Sequence, residues 1–70
     1  MLRPGTLVKA RYYLLVYDEI DVSRSLYTVK VDELMTVLRL SATKDKNLIA
    51  EIITTSGVKG WIFASNVSEV

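Results

Sequence analysis

Three groups of side chains in this sequence have types and spacings that could do chemistry. The first is acidic. Asp18, Glu19 and Asp21 fall close together in a polar stretch that ends in Ser23-Arg24-Ser25. Neighbouring carboxylates can hold a divalent cation or pass protons. Calcium-loop spacing is missing here, and no nucleophile or oxyanion-stabilising group accompanies the carboxylates. A solvated loop is the better reading. The second group is aromatic: Tyr13, Tyr17, Trp61 and Phe63, from residue classes that often carry interface energy. The third is basic: Lys9, Arg11, Arg39, Lys44 and Lys46, with Glu33, Asp45 and Glu51 interspersed. That mixture is the pattern of solubilising charge.

Composition removes most catalytic classes. The 70 residues include no Cys and no His. Disulfides, thiol nucleophiles, thiolate or imidazole metal sites and His-based acid–base catalysis are therefore excluded. Gly5, Gly57 and Gly60 lack phosphate-loop spacing. The expectation is a non-enzymatic chain with no catalytic residues, no metal site and no cofactor. Nine basic against eight acidic side chains leave +1, too balanced for electrostatics alone to drive strong nucleic-acid or membrane binding. The longest apolar run, residues 12–17, is far below the roughly 20 residues of a membrane span. No stretch reads as a secretory signal. A cytoplasmic protein is expected, with no membrane partner.

The elements that must position these residues read as short strands. Over residues 7–17, Val8, Ala10, Tyr12, Leu14 and Val16 share one face, which predicts one long strand with Tyr12 in the core and Tyr13 and Tyr17 outside. Residues 18–25 break the alternation as a long loop or irregular hairpin tip, and residues 26–31 alternate again. Residues 32–40 are ambiguous. Val31, Leu34, Met35 and Leu38 have helical spacing, whereas Met35 and Val37 alternate as in a strand. A helix there would be only about two turns long, and Thr36 and Val37 are mediocre helix formers, so strand is preferred. Residues 48–55 are β-branched and strand-like, a turn follows at Gly57, and Trp61-Ile62-Phe63 forms a short strand before a helical turn at residues 64–66. Alternation about an inward Ile62 points Trp61 and Phe63 outward. About five short strands joined by turns predict a small closed all-β barrel.

Two stretches carry a family resemblance. Val31-Asp32-Glu33-Leu34-Met35-Thr36-Val37-Leu38 resembles the "K-G-D-x-L-T-V-L" turn and strand of bacterial SH3-like domains. Lys59-Gly60-Trp61-Ile62-Phe63-Ala64-Ser65-Asn66-Val67 is similar to their closing "x-G-W-V-x-x-x-Y-L/V". The likeness extends from about Val8 to Val67 and implies a single domain, a five-stranded SH3-like barrel with a short helical turn before the last strand. It also implies a non-catalytic module for a protein or peptide partner. The family grips proline-rich peptides with a Trp, a Pro and a Tyr, whose slots here read Asn47-Leu48, Phe63 and Asn66. The expected partner surface is a shallow aromatic and acidic face of Tyr13, Tyr17, Asp18, Glu19, Asp21, Trp61 and Phe63. A nucleic-acid-binding barrel and a structural docking subunit of a larger complex are the other classes considered. Open strand edges allow a monomer or a weak homodimer.

Overall fold

The period-two alternation becomes strand throughout the computed structural model, which describes residues 2–18 and 25–70. The described strands are β1 (Leu7–Ala10), β2 (Leu14–Tyr17), β3 (Ser25–Val29), β4 (Leu34–Ala42), β5 (Leu48–Thr54), β6 (Lys59–Phe63) and β7 (Val67–Glu69). A single 3-10 turn, Ala64–Asn66, separates β6 from β7. Of the ambiguous residues 32–40, Leu34 to Leu40 are strand and Asp32 is part of the turn before it. Of their helical stripe only Met35 is buried, while Val31, Leu34 and Leu38 are exposed.

Seven strands form among the described residues where five were expected. Residues 7–17 are two strands rather than one. β1 pairs with β4 and β7, whereas β2 pairs with β3 and β6, so the chain must change neighbours between Ala10 and Leu14. The backbone N–H of Arg11 donates to the Asn66 carbonyl at 2.9 Å, and Asp32 N–H donates to the Ala10 carbonyl at 2.9 Å, which closes β1. The bend expels Tyr12. The expectation of a core Tyr12 is corrected: it is 57% exposed. The inward phase nevertheless survives the bend, since Val8, Ala10, Leu14 and Val16 are all buried.

All pairings are antiparallel, in the order β3-β2-β6-β5-β4-β1-β7. One apolar cluster takes residues from every strand: Val8 and Ala10, Leu14 and Val16, Val29, Met35 and Val37, Ala50 and Ile52, Ile62, and Val67. Among the described residues no helix covers this face, and the sheet buries it by curling on itself as a half-barrel. Register shifts between Val16 and Tyr17 and between Val37 and Arg39 help the bend, because an extra residue in one strand locally increases twist. The second shift leaves Leu38 unpaired and reverses the phase. Val37 faces inward against Ile52, and Arg39 faces outward against Glu51.

Gly60 marks the tightest point of the curl. A Cβ there would lie 2.5 Å from Val16 Cγ1 and 2.6 Å from the Tyr17 carbonyl oxygen. A backbone atom cannot step aside as a side-chain tip can, so only glycine lets β2 approach β6. Gly60→Ala is expected to cost about 1–3 kcal/mol through overpacking, read as a lower urea midpoint at unchanged m-value. A wild-type midpoint would refute the close approach.

The two tight hairpins are built alike. In the β4–β5 loop, Thr43 N–H donates to the Asn47 carbonyl at 3.0 Å and Lys46 N–H to the Thr43 carbonyl at 2.9 Å. In the β5–β6 loop, Thr54 N–H donates to the Val58 carbonyl at 2.8 Å and Gly57 N–H to the Thr54 carbonyl at 3.0 Å. Each threonine Oγ1 also accepts the N–H four residues on, at 3.2 Å and 3.0 Å. Each loop needs a left-handed residue in its third position: Gly57 at φ +90° in one and Lys46 at φ +65° in the other. A side chain in that region costs about 1–2 kcal/mol, partly offset by the unfolded-state freedom of glycine. Lys46→Gly should therefore raise stability by about 0.5–1 kcal/mol in urea denaturation, and Gly57→Lys should lower it by a similar amount.

Candidate functional site

Strand register carries one row of side chains across the outer face of four strands. Arg39 on β4 opposes Glu51 on β5, Glu51 opposes Trp61 on β6, and Trp61 opposes Tyr17 on β2. The Arg39 guanidinium lies 5.1 Å from the Trp61 ring centroid. Its Nε donates to Glu51 Oε1 at 2.8 Å. Cation, carboxylate and ring are thus linked in sequence. Arg39 keeps its charged head in water, with its side chain 66% exposed, while Glu51 is only 15% exposed.

This row corrects one expectation. Alternation places Trp61 opposite Ile62, on the outer face, but Trp61 is only 5% exposed. The indole is a covered group of the outer face rather than an open docking surface. Ile49, fully buried and outside the main cluster, lies on the same side, opposite Phe63. The molecule therefore has a small second apolar layer on the convex side of its sheet.

The other expected site residues divide. Tyr17 and Phe63 come together, half-buried, with ring centroids 6.0 Å apart at 81°, edge to face. Tyr13 stands 71% exposed in the bend after β1. Asp18 is half-buried beside Tyr17 in sequence. Glu19 and Asp21 lie outside the described residues. Among the described residues no group of three metal-ligating side chains comes together.

A groove not foreseen from the alternation opens next to Phe63. Its volume is about 520 Å³, and it is lined by Leu2, Asn47, Leu48, Phe63, Ala64 and Ser65. None of the six carries a charge. The turn at residues 3–6 brings Leu2 there: Thr6 N–H donates to the Arg3 carbonyl at 3.0 Å and Gly5 N–H to the Val37 carbonyl at 2.7 Å. The β4–β5 hairpin delivers Asn47 and Leu48, and the 3-10 turn delivers Ala64 and Ser65. Leu48 is 51% exposed. It pairs with Ala42, where β4 and β5 outrun the core. Leu48 falls at a slot already singled out in the sequence, whereas Leu2 had only a weak signal, an apolar residue just before a turn.

No family model matches this chain. No curated protein and no solved structure matches it either.

If Trp61 supports the sheet, its loss should be felt as stability. Trp61→Ala is expected to cost about 3–5 kcal/mol, as for other buried large aromatics. A double-mutant cycle of Arg39→Gln and Trp61→Leu should return a coupling of about 0.5–1 kcal/mol for the cation over the ring. Trp61 is the single tryptophan, so its emission should be blue-shifted in the folded chain and move to the red on unfolding. A water-like emission in the folded protein would contradict its burial.

Proposed function

We propose that this chain is a non-catalytic interaction module of the SH3-like kind, which takes up a segment of a protein or peptide partner in the groove beside Phe63. The observation that carries the reading is the position of the groove. In the resemblance drawn above, the partner-gripping slots of the family fall at Asn47-Leu48, Phe63 and Asn66. Asn47, Leu48 and Phe63 all line the groove, and Asn66 ends the 3-10 turn that forms its wall. The aromatics have changed, but an apolar concavity persists at the same place.

Further features support the finer fold reading. With the β2–β3 hairpin taken as an excursion between β1 and β4, the strands β1, β4, β5, β6 and β7 match in number the five of an SH3-like barrel, although not in the bounds expected from the sequence. The helical turn precedes the last strand. Asp32 stands where the family's "K-G-D" turn has glycine, and it adopts φ +67°, a region that glycine enters freely and Asp tolerates. The lack of His and Cys supports binding over catalysis.

On this reading the anchors are Leu48, Phe63 and the Tyr17 ring that braces Phe63, while Trp61 holds the strands beneath them. Panning a random dodecapeptide phage library on the folded chain should enrich peptides that bind through the groove. Leu48→Asp should weaken their binding at least about tenfold, equivalent to ~1.4 kcal/mol, while Trp61 emission stays that of the folded protein. Enrichment of no Leu48-dependent peptide would reject the groove as the docking site.

A further inference from the structure

The groove has an uncharged lining but a charged rim. Arg11 lies at one end. Its Nη1 donates to the carbonyl of Ser65, a groove residue, at 3.4 Å. Its backbone N–H donates to the Asn66 carbonyl at 2.9 Å. Arg11 is therefore held to the 3-10 turn by its main chain, and its exposed guanidinium reaches the same turn. A guanidinium has five N–H donors arranged as a fork that matches a carboxylate. Among the described residues the one side-chain hydrogen bond of Arg11 is to a neutral carbonyl. The contrast with Arg39 is direct: Arg39 is committed to Glu51 and to the Trp61 ring. The loop that delivers Asn47 to the groove carries Lys44, Asp45 and Lys46, a further net positive charge.

Building on the reading of the groove as a docking site, we propose that its occupant is an extended peptide segment with an Asp or Glu next to an apolar side chain. The apolar side chain fills the space over Leu48 and Phe63, and the carboxylate pairs with Arg11. Charge complementarity selects this occupant. An apolar segment alone satisfies the lining but leaves the guanidinium unused. A basic segment places like charge against Arg11. Hydrogen bonds to ionised groups are stronger and more directional than neutral ones, so the carboxylate sets the register and the groove supplies the contact area.

The peptides enriched on the wild-type chain decide the matter. Their titration by fluorescence anisotropy uses wild type, Arg11→Gln and Leu48→Asp, with Trp61 emission as the control for folding. The expected set carries Asp or Glu beside Leu, Ile, Val or Phe. Replacing that acid by its amide should weaken wild-type binding about tenfold, and Arg11→Gln should remove the preference for acid over amide. The preference should also shrink as salt rises. Leu48-dependent peptides that are neutral or basic, or an acid preference that survives in Arg11→Gln, would overturn the proposal while leaving the groove as a docking site. Absence of any Leu48-dependent peptide would overturn both.

Discussion

Among the described residues no helix lies against the single antiparallel sheet, which takes its apolar face out of water by curling on itself. Everything else in this small molecule follows from that constraint. Its main core draws on all seven described strands, so no strand can leave without opening the cluster to solvent. Strand twist starts the curl, and local devices sharpen it. Here the devices are the register shift at Leu38, the shift after Val16, and the missing side chain at Gly60. The last is the most demanding, because the obstacle is the Tyr17 backbone itself. A chain of this length buries only about 60% of its unfolded surface, which leaves little reserve to absorb a failure of closure.

The curl also sets what lies on the convex face. By reversing the phase after Val37, the Leu38 shift brings Arg39 to the outside, in line with Glu51 and Trp61. An exposed ion pair by itself is worth about 0–1 kcal/mol. The pair matters more through what it holds in place. The guanidinium of Arg39 stands over the indole while its side chain stays largely in water. The second apolar layer of Ile49 and Trp61 can therefore exist without a second sheet.

The inward phase was legible because alternation is a property of the strand itself. Met35, Val37, Ala50, Ile52 and Ile62 could be assigned to the core from spacing alone, and all are buried. Tyr12 could not, because its position depends on β1 and β2 having different partners, and partner choice is non-local. Trp61 illustrates a second limit. Alternation tells which side of the sheet a residue occupies but says nothing of what covers that side, and the cover comes from a strand more than twenty positions earlier in the chain. Alternation hid the groove for the same reason, although the resemblance singled out Asn47-Leu48 and Phe63. Leu2, Leu48 and Ser65 are distant in sequence and ordinary one by one. Phe63, the residue shared by the expected face and the observed groove, was found because it follows Ile62 in a strand of clear phase.

The distinction between Trp61 and Leu48 bears on how binding and folding share so small a chain. A large aromatic group that ties three strands together is a poor place for a partner to pull, since its movement would loosen the sheet. Leu48 belongs to the end of a hairpin that outruns the core, and its apolar surface contributes little to folding while it remains half in water. Full burial of a leucine is worth about 1.5–3 kcal/mol relative to exposure. An occupant of the groove would collect much of that gain without asking the core to rearrange. On this logic the docking capacity proposed above lies at the margin of the curled sheet, where strand ends, the 3-10 turn and the opening turn meet. The centre of the convex face, although richer in aromatic and charged groups, is already occupied with holding the fold.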